Sequence, residues 1–145
     1  MKFKVESVSI AAVKGVQKHE VPEIICRENF GIEGDAHAGA WHRQVSLLAG
    51  EAVDAMKANG LDLAPGAFGE NIVTRGVDWS RAKIGKRITI GAVELQITQI
   101  GKECHSRCAI YYAAGECIMP SQGIFAKVLK GGKIHAQSSG DYRIR

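Results

Sequence analysis

Three of the four cysteines fall within fourteen residues, in Gly101-Lys102-Glu103-Cys104-His105-Ser106-Arg107-Cys108 and Gly115-Glu116-Cys117-Ile118-Met119-Pro120. A thiolate is both a nucleophile and a soft metal ligand, and positive neighbours favour that ionised form. Lys102, His105 and Arg107 supply such neighbours, which makes Cys104 the first candidate for chemistry, as sulfur nucleophile or metal ligand. It follows the apolar alternation of Val93–Ile100, so it is expected on a loop leaving a sheet edge, where a rigid scaffold commonly holds reactive groups. Cys-x₃-Cys-x₈-Cys matches neither a zinc-finger nor an iron–sulfur spacing. Cys26, inside an apolar run, reads as a small core residue, and Cys108 opens an apolar stretch and reads the same way.

A second cluster is Gly31-Ile-Glu-Gly-Asp35-Ala-His37-Ala-Gly-Ala-Trp41-His42-Arg43-Gln44. Its lack of periodicity predicts a long loop, and polar long loops often bind ligands. Asp35 and His37 admit two readings. One is a surface turn in which Asp35 accepts backbone amides; the other is a binding loop. Arg43 runs straight into a predicted strand, which could aim it inward to clamp a phosphate bidentately. His37 and His42 lack the spacing of a helical metal pair, so zinc is the minor reading there. In Gly66-Ala-Phe-Gly-Glu70-Asn71, glycine lets backbone approach a ligand and Asn71 can donate and accept at once, as an amide-bearing heterocycle requires. A turn fixed by the Asn side chain is the plainer alternative.

The elements that must position these groups are mostly short strands. Seventeen glycines against three prolines imply many tight turns. The apolar phase shifts between Val5 and Val8, as at a bulge in an opening strand. Val21–Cys26, Gln44–Leu48, Asn71–Thr74 and Ile124–Leu129 read as further strands, and Arg87–Thr98 as a hairpin turning at Gly91-Ala92. Ala49–Asn59 carries helical spacing closed by Gly60, and Cys108–Ala114 suits one or two helical turns. This pattern favours a closed β-barrel with one or two short helices over a parallel α/β sheet, formed as one domain over residues 1–145.

Composition narrows the function classes. The formal charge of +4 is modest, basic residues are scattered apart from Lys83–Arg87 and Lys127–Lys133, and only 6% of residues are aromatic. A nucleic-acid stacking platform is therefore disfavoured, and a small anionic ligand suits the balance better. No apolar run approaches the roughly 20 residues of a membrane span, and charges interrupt the N-terminal segment as no signal peptide allows. The expected setting is cytoplasmic and reducing, with the cysteines as thiols.

Taken in order, the Gly-Asp-x-His loop, Arg-Gln-Val-Ser-Leu-Leu, Gly-Glu-Asn, the Ile-Gly-x-x-Ile-x-Ile-Gly hairpin and the late cysteine resemble a MOSC domain. This is the module at the C-terminus of molybdenum-cofactor sulfurases and in stand-alone bacterial proteins. The similarity runs from about Val5 to Ile134 and is strongest from Gln99 to the Gly131-Gly132 pair, where it follows the small stand-alone type. It implies a barrel of the pyruvate-kinase-barrel-like type that binds the molybdenum cofactor, a phosphate-bearing pyranopterin dithiolene. It also implies that Cys104 either ligates molybdenum or carries sulfur as a persulfide. The implied cofactor-binding set is Asp35, His37, Arg43, Asn71, Lys102, His105 and Arg107, and the implied partners are cofactor-biosynthesis proteins or molybdoenzymes. Where the family places a Gly-Asp turn after the Gly-Gly-x-Ile strand, this chain has Gln137 and Ser138. The final strand is therefore expected to be altered or missing. No aminotransferase-like region is present, so sulfur is expected to come from elsewhere. The leading expectation is a protein that carries or sulfurates the cofactor. The alternatives are a molybdenum-dependent reductase of N-oxygenated compounds, and a zinc-binding or redox-sensing thiol protein using Cys104, Cys108 and Cys117.

Overall fold

The computed structural model describes residues 1–58, 60, 62–101 and 122–143. Its first strand, β1 (Lys2–Ile10), alternates exposed and buried positions up to Glu6 and then buries Ser7, Val8 and Ser9 in succession. The phase shift is a bulge: against β6 (Ile72–Arg75), Val5 pairs with Thr74 but Ser7 with Val73. The single strand expected at Val21–Cys26 is two, β2 (His19–Val21) and β3 (Glu23–Arg27). Pro22 separates them because it offers no N–H to a ladder. β2 pairs with β1, whereas β3 lies between β4 (Gly31–Ile32) and β10 (Gly132–His135) in a separate three-stranded sheet.

The hairpin forms as expected from β7 (Arg87–Ile90) and β8 (Val93–Ile100), with Ile90 opposite Val93. Gly91 takes a positive φ of 57° and Ala92 does not, the order a type II′ turn requires. β9 (Ile124–Lys130) pairs with β8 and with β5 (Val45–Ala49). The expected helix is α1 (Gly50–Lys57), and Gly60 beyond it has the left-handed φ of 89°. Because α1 carries the chain back, β5 and β6 lie parallel.

The strand order β11-β7-β8-β9-β5-β6-β1, with β1 paired again to β11 (Ser139–Tyr142), closes a seven-stranded barrel. The expectation of an altered or missing final strand is corrected here, since β11 bridges β1 and β7. Gln137 itself adopts the left-handed conformation, φ 75°, and donates its N–H to Val5 O. The turn keeps its shape without the glycine.

β5 shows how the barrel is packed. Val45 and Leu47 join the inner core with Ile72, Ile88, Leu95, Ile97 and Ile124, while Leu48 joins a second cluster with Val53, Met56, Phe68 and Phe125. Buried on both faces, β5 reads as an unbroken apolar run. Each such fully buried side chain contributes about 1.5–3 kcal/mol. Among the described residues no helix is long and apolar enough to cross a membrane.

Candidate functional site

The loop that joins β4 to β5 is organised by Asp35. Its Oδ1 accepts the Ala11 N–H at 3.2 Å and the Lys18 ammonium at 2.7 Å, and its Oδ2 accepts the His37 N–H at 3.1 Å. Both charged side chains are out of solvent, at 1% exposure for Lys18 and 0% for Asp35. Burial alone would raise the Asp35 pKa, but the nearby His37 side chain, the charge and hydrogen bond of Lys18 and the Ala11 N–H outweigh it and hold the carboxyl well below the usual range. The backbone-turn reading of Asp35 is thus correct in its bonds, yet the turn is interior.

Lys18 Nζ also lies 3.0 Å from His37 Nδ1. The His37 ring stacks on Trp41 with centroids 6.1 Å apart and planes 9° from parallel, and the Trp41 indole N–H donates to His37 O at 2.7 Å. Two cations converge on the same indole: Lys14 Nζ at 4.6 Å and Arg43 Cζ at 4.7 Å from its centroid. Arg43 also lies over Phe125 of the second cluster, at 5.8 Å, so the strand aims it outside the barrel rather than into it. Its Nε is buried and, among the described residues, has no hydrogen-bond partner. A guanidinium donor kept dry and unpaired is costly, and it marks a place where an acceptor fits.

Asn71 has a different task. Its Oδ1 accepts from the N–H and the hydroxyl of Ser46, and its Nδ2 donates to Ser9 O, with the residue 1% exposed. It joins β1 to β5 three residues past Arg43. The turn before it is fixed by Glu70, whose carboxylate accepts the N–H groups of Gly66 and Phe68 at 2.8 and 3.0 Å. Burial raises the Glu70 pKa, with those amides and Lys18 pulling the other way.

His42 is exposed, and its ring meets Trp41 edge-on with centroids 5.7 Å apart. Its Nε2 meets Gln99 Oε1 at 2.8 Å, and Thr98 donates its hydroxyl to His42 O. Gln99 in turn donates to Gly101 O, and Gly101 donates its N–H to Gly123 O at 2.7 Å. Both histidine rings contact Trp41, but among the described residues no three His, Cys, Asp or Glu side chains gather as a metal site. Lys102, Cys104, His105, Arg107, Cys108 and Cys117 lie outside the described residues, as does the helical stretch expected at Cys108–Ala114. Cys26 is buried, and desolvation pushes its thiol up to about 12, which keeps it inert.

The structure therefore brings Asp35, His37 and Arg43 together and gives Asn71 to the framework. Lys14 and Lys18 carry no signal in the sequence, whereas Trp41 and Glu70 fall inside the quoted loop and the quoted Gly-Glu-Asn without a role of their own assigned. Lys18 sits in a polar stretch like any solvated lysine. A cavity of about 830 Å³ opens elsewhere, by Ala49, Val77, Trp79, Ile100 and Ile124, and among the described residues none of the predicted site residues lines it. Among the described residues, the cationic cluster around Trp41 is the candidate site.

Solved structures share the fold. The YuaD protein from Bacillus subtilis superposes with a TM-score of 0.79 at 20% identity, over 97% of this chain and 94% of its own. YiiM from Geobacillus stearothermophilus gives a TM-score of 0.73 at 17% identity, over 97% and 75%. YiiM from Escherichia coli gives 0.67 at 22%, over 100% and 71%. No curated protein matches the chain in sequence. The family model for the MOSC domain matches residues 34–139, from the turn that opens the Asp35 loop to the start of the closing strand, and the chain belongs to the MOSC domain family.

Proposed function

We propose that this chain binds the molybdenum cofactor and carries or sulfurates it, with Cys104 as metal ligand or sulfur carrier. The family is generally linked to that cofactor. The observation that carries the reading is the buried Arg43 Nε, without a hydrogen-bond partner among the described residues, beside an indole that already gathers Lys14 and Arg43. That donor set fits a phosphate-bearing ligand. Arg43, Lys14 and His37 would hold its anionic and polar groups, while Asp35 and Asn71 keep the loop and β5 in place. When bound, the cofactor supplies a molybdenum centre on dithiolene sulfur, which takes a further thiolate readily. Cys104 follows Gly101 by three residues in the sequence. Gly101 is linked through Gln99 to His42, the neighbour of Arg43. Lys102, His105 and Arg107 accompany Cys104 as the groups that favour its thiolate.

Protein purified from a cell that makes the cofactor tests this. Wild type is expected to carry molybdenum and a fluorescent pterin. Cys104→Ser should lose molybdenum with the fold intact, and Cys26→Ser should keep it. Arg43→Gln should weaken pterin retention by roughly ten- to a hundredfold, the worth of a charged hydrogen bond. Stoichiometric zinc without pterin would overturn the reading. Equal molybdenum in the two cysteine variants would remove Cys104 from its role.

A further inference from the structure

We propose that Lys18 is a positioning residue that fixes the proton of His37, so that His37 presents Nε2–H as a donor to a phosphate-type oxyanion. The inference rests on the cofactor reading only for the identity of the natural ligand.

An ammonium group has donors and no acceptor. Lys18 Nζ lies 3.0 Å from His37 Nδ1, so Nδ1 must receive that hydrogen bond through its lone pair. A proton on Nδ1 would point at the ammonium instead. The alternative partner for such a proton, Asp35 Oδ2, is 3.7 Å from Nδ1, beyond hydrogen-bond reach. The proton stays on Lys18 because Asp35 lies 2.7 Å away, dry and hydrogen-bonded by the Ala11 and His37 amides. A neutral imidazole that accepts at Nδ1 carries its one proton at Nε2.

The ring is held from a second side. Stacking on Trp41 and the indole bond to His37 O fix both the plane of the imidazole and the backbone that bears it. Rotating the ring by half a turn would set a C–H against the Lys18 ammonium and forfeit the bond. The side chain remains 27% exposed, enough for a ligand to reach it.

The consequence is a restriction on what His37 can do. While Lys18 occupies Nδ1, His37 offers a donor and no basic nitrogen, so it serves as a ligand clamp and not as a general base. Arg43 Nε, buried and without a hydrogen-bond partner among the described residues, belongs to the same indole-centred group. Two donors, with Lys14 adding charge, select a ligand oxygen that is both an acceptor and anionic.

Long-range ¹H–¹⁵N spectra of uniformly labelled protein read the tautomer directly, with His37→Gln assigning the resonances. Wild type should show a protonated Nε2 and a bare Nδ1. In Lys18→Met/Asp35→Asn, which removes both buried charges at similar volume, the ring should become a tautomer mixture. Inorganic pyrophosphate should shift the His37 Nε2–H and Trp41 indole signals of wild type, and bind the double variant at least tenfold more weakly. An Nδ1–H ring in wild type, an unchanged tautomer in the double variant, or no pyrophosphate shift at Nε2–H would each overturn the proposal. These signals are read on cofactor-free protein with pyrophosphate alone, so they do not depend on molybdenum content. A failure here is thus separable from a failure of molybdenum binding.

Discussion

At the scale of single residues, the Asp35 carboxylate ties acid stability to the site. Its folded pKa is depressed, so its contribution to stability is fully present above the unfolded value of about 3.9 and is lost as pH falls through the folded value below it. Glu70 has the opposite sign. Its folded pKa is raised, so the fold gains stability as pH falls from that raised value toward the ordinary one of about 4.3. Denaturant melts between pH 7 and pH 2 should rise slightly on the way down and then drop steeply. Glu70→Gln should flatten the rise, and a rise that persists in that variant would assign it to another group. Asp35→Asn should cost about 3–5 kcal/mol at pH 7, because it breaks the buried ion pair with Lys18. It should also remove the steep acid limb. A variant within 1 kcal/mol of wild type would mean that Lys18 finds its countercharge elsewhere.

At the scale of elements, the separation between legible and illegible is physical. The β7–β8 hairpin, the bulge in β1 and helix α1 follow from local periodicity and turn chemistry, and all three stand where Val93–Ile97, Val5–Val8 and Val53–Met56 placed them. The Pro22 break was miscounted because a proline within an apolar run reads equally as an edge position or as a change of sheet. Lys18 and Asp35 are seventeen residues apart, and nothing in either neighbourhood announces the other. Asn71 takes its partners, Ser9 and Ser46, from two distant strands, which the Gly-Glu-Asn pattern does not reveal. Asn71→Ala should therefore act on elements rather than on ligands. It leaves the Ser46 N–H and the Ser9 carbonyl without their partners, at about 1–3 kcal/mol for each buried group. Hydrogen exchange should show Ser46 and its β5 neighbours losing protection, while β7 and β8 keep theirs. Uniform loss across the barrel would instead mark Asn71 as a global core residue.

At the scale of the whole molecule, closure of the barrel depends on four residues, Ser139–Tyr142, and two positions in and beside them work in opposite directions. Gln137 enters the strand with φ 75°, a conformation that costs a non-glycine residue about 1–2 kcal/mol. Gln137→Gly should remove that strain at some entropic cost and stabilise the protein by about 0.5–1 kcal/mol. Gly140, by contrast, lies against the Phe3 ring, and an added Cβ would come within 2.2 Å of Phe3 Cζ. Phe3 cannot yield freely. It meets Trp79 edge-on at 5.8 Å, Trp79 lies 5.5 Å from Tyr142, and the Tyr142 hydroxyl accepts the Lys83 N–H. This aromatic chain links the first strand, the 3₁₀ turn at Trp79–Arg81 and the last strand, so overpacking at Gly140 presses on the seam from inside. Gly140→Ala should cost about 1–3 kcal/mol. In thermal melts the two variants should move in opposite directions from wild type, with the downward shift at Gly140 restored in part by Phe3→Leu, which removes the obstructing ring. If Phe3→Leu only adds to the loss, the seam is held by strand pairing alone and the aromatic chain is incidental to closure.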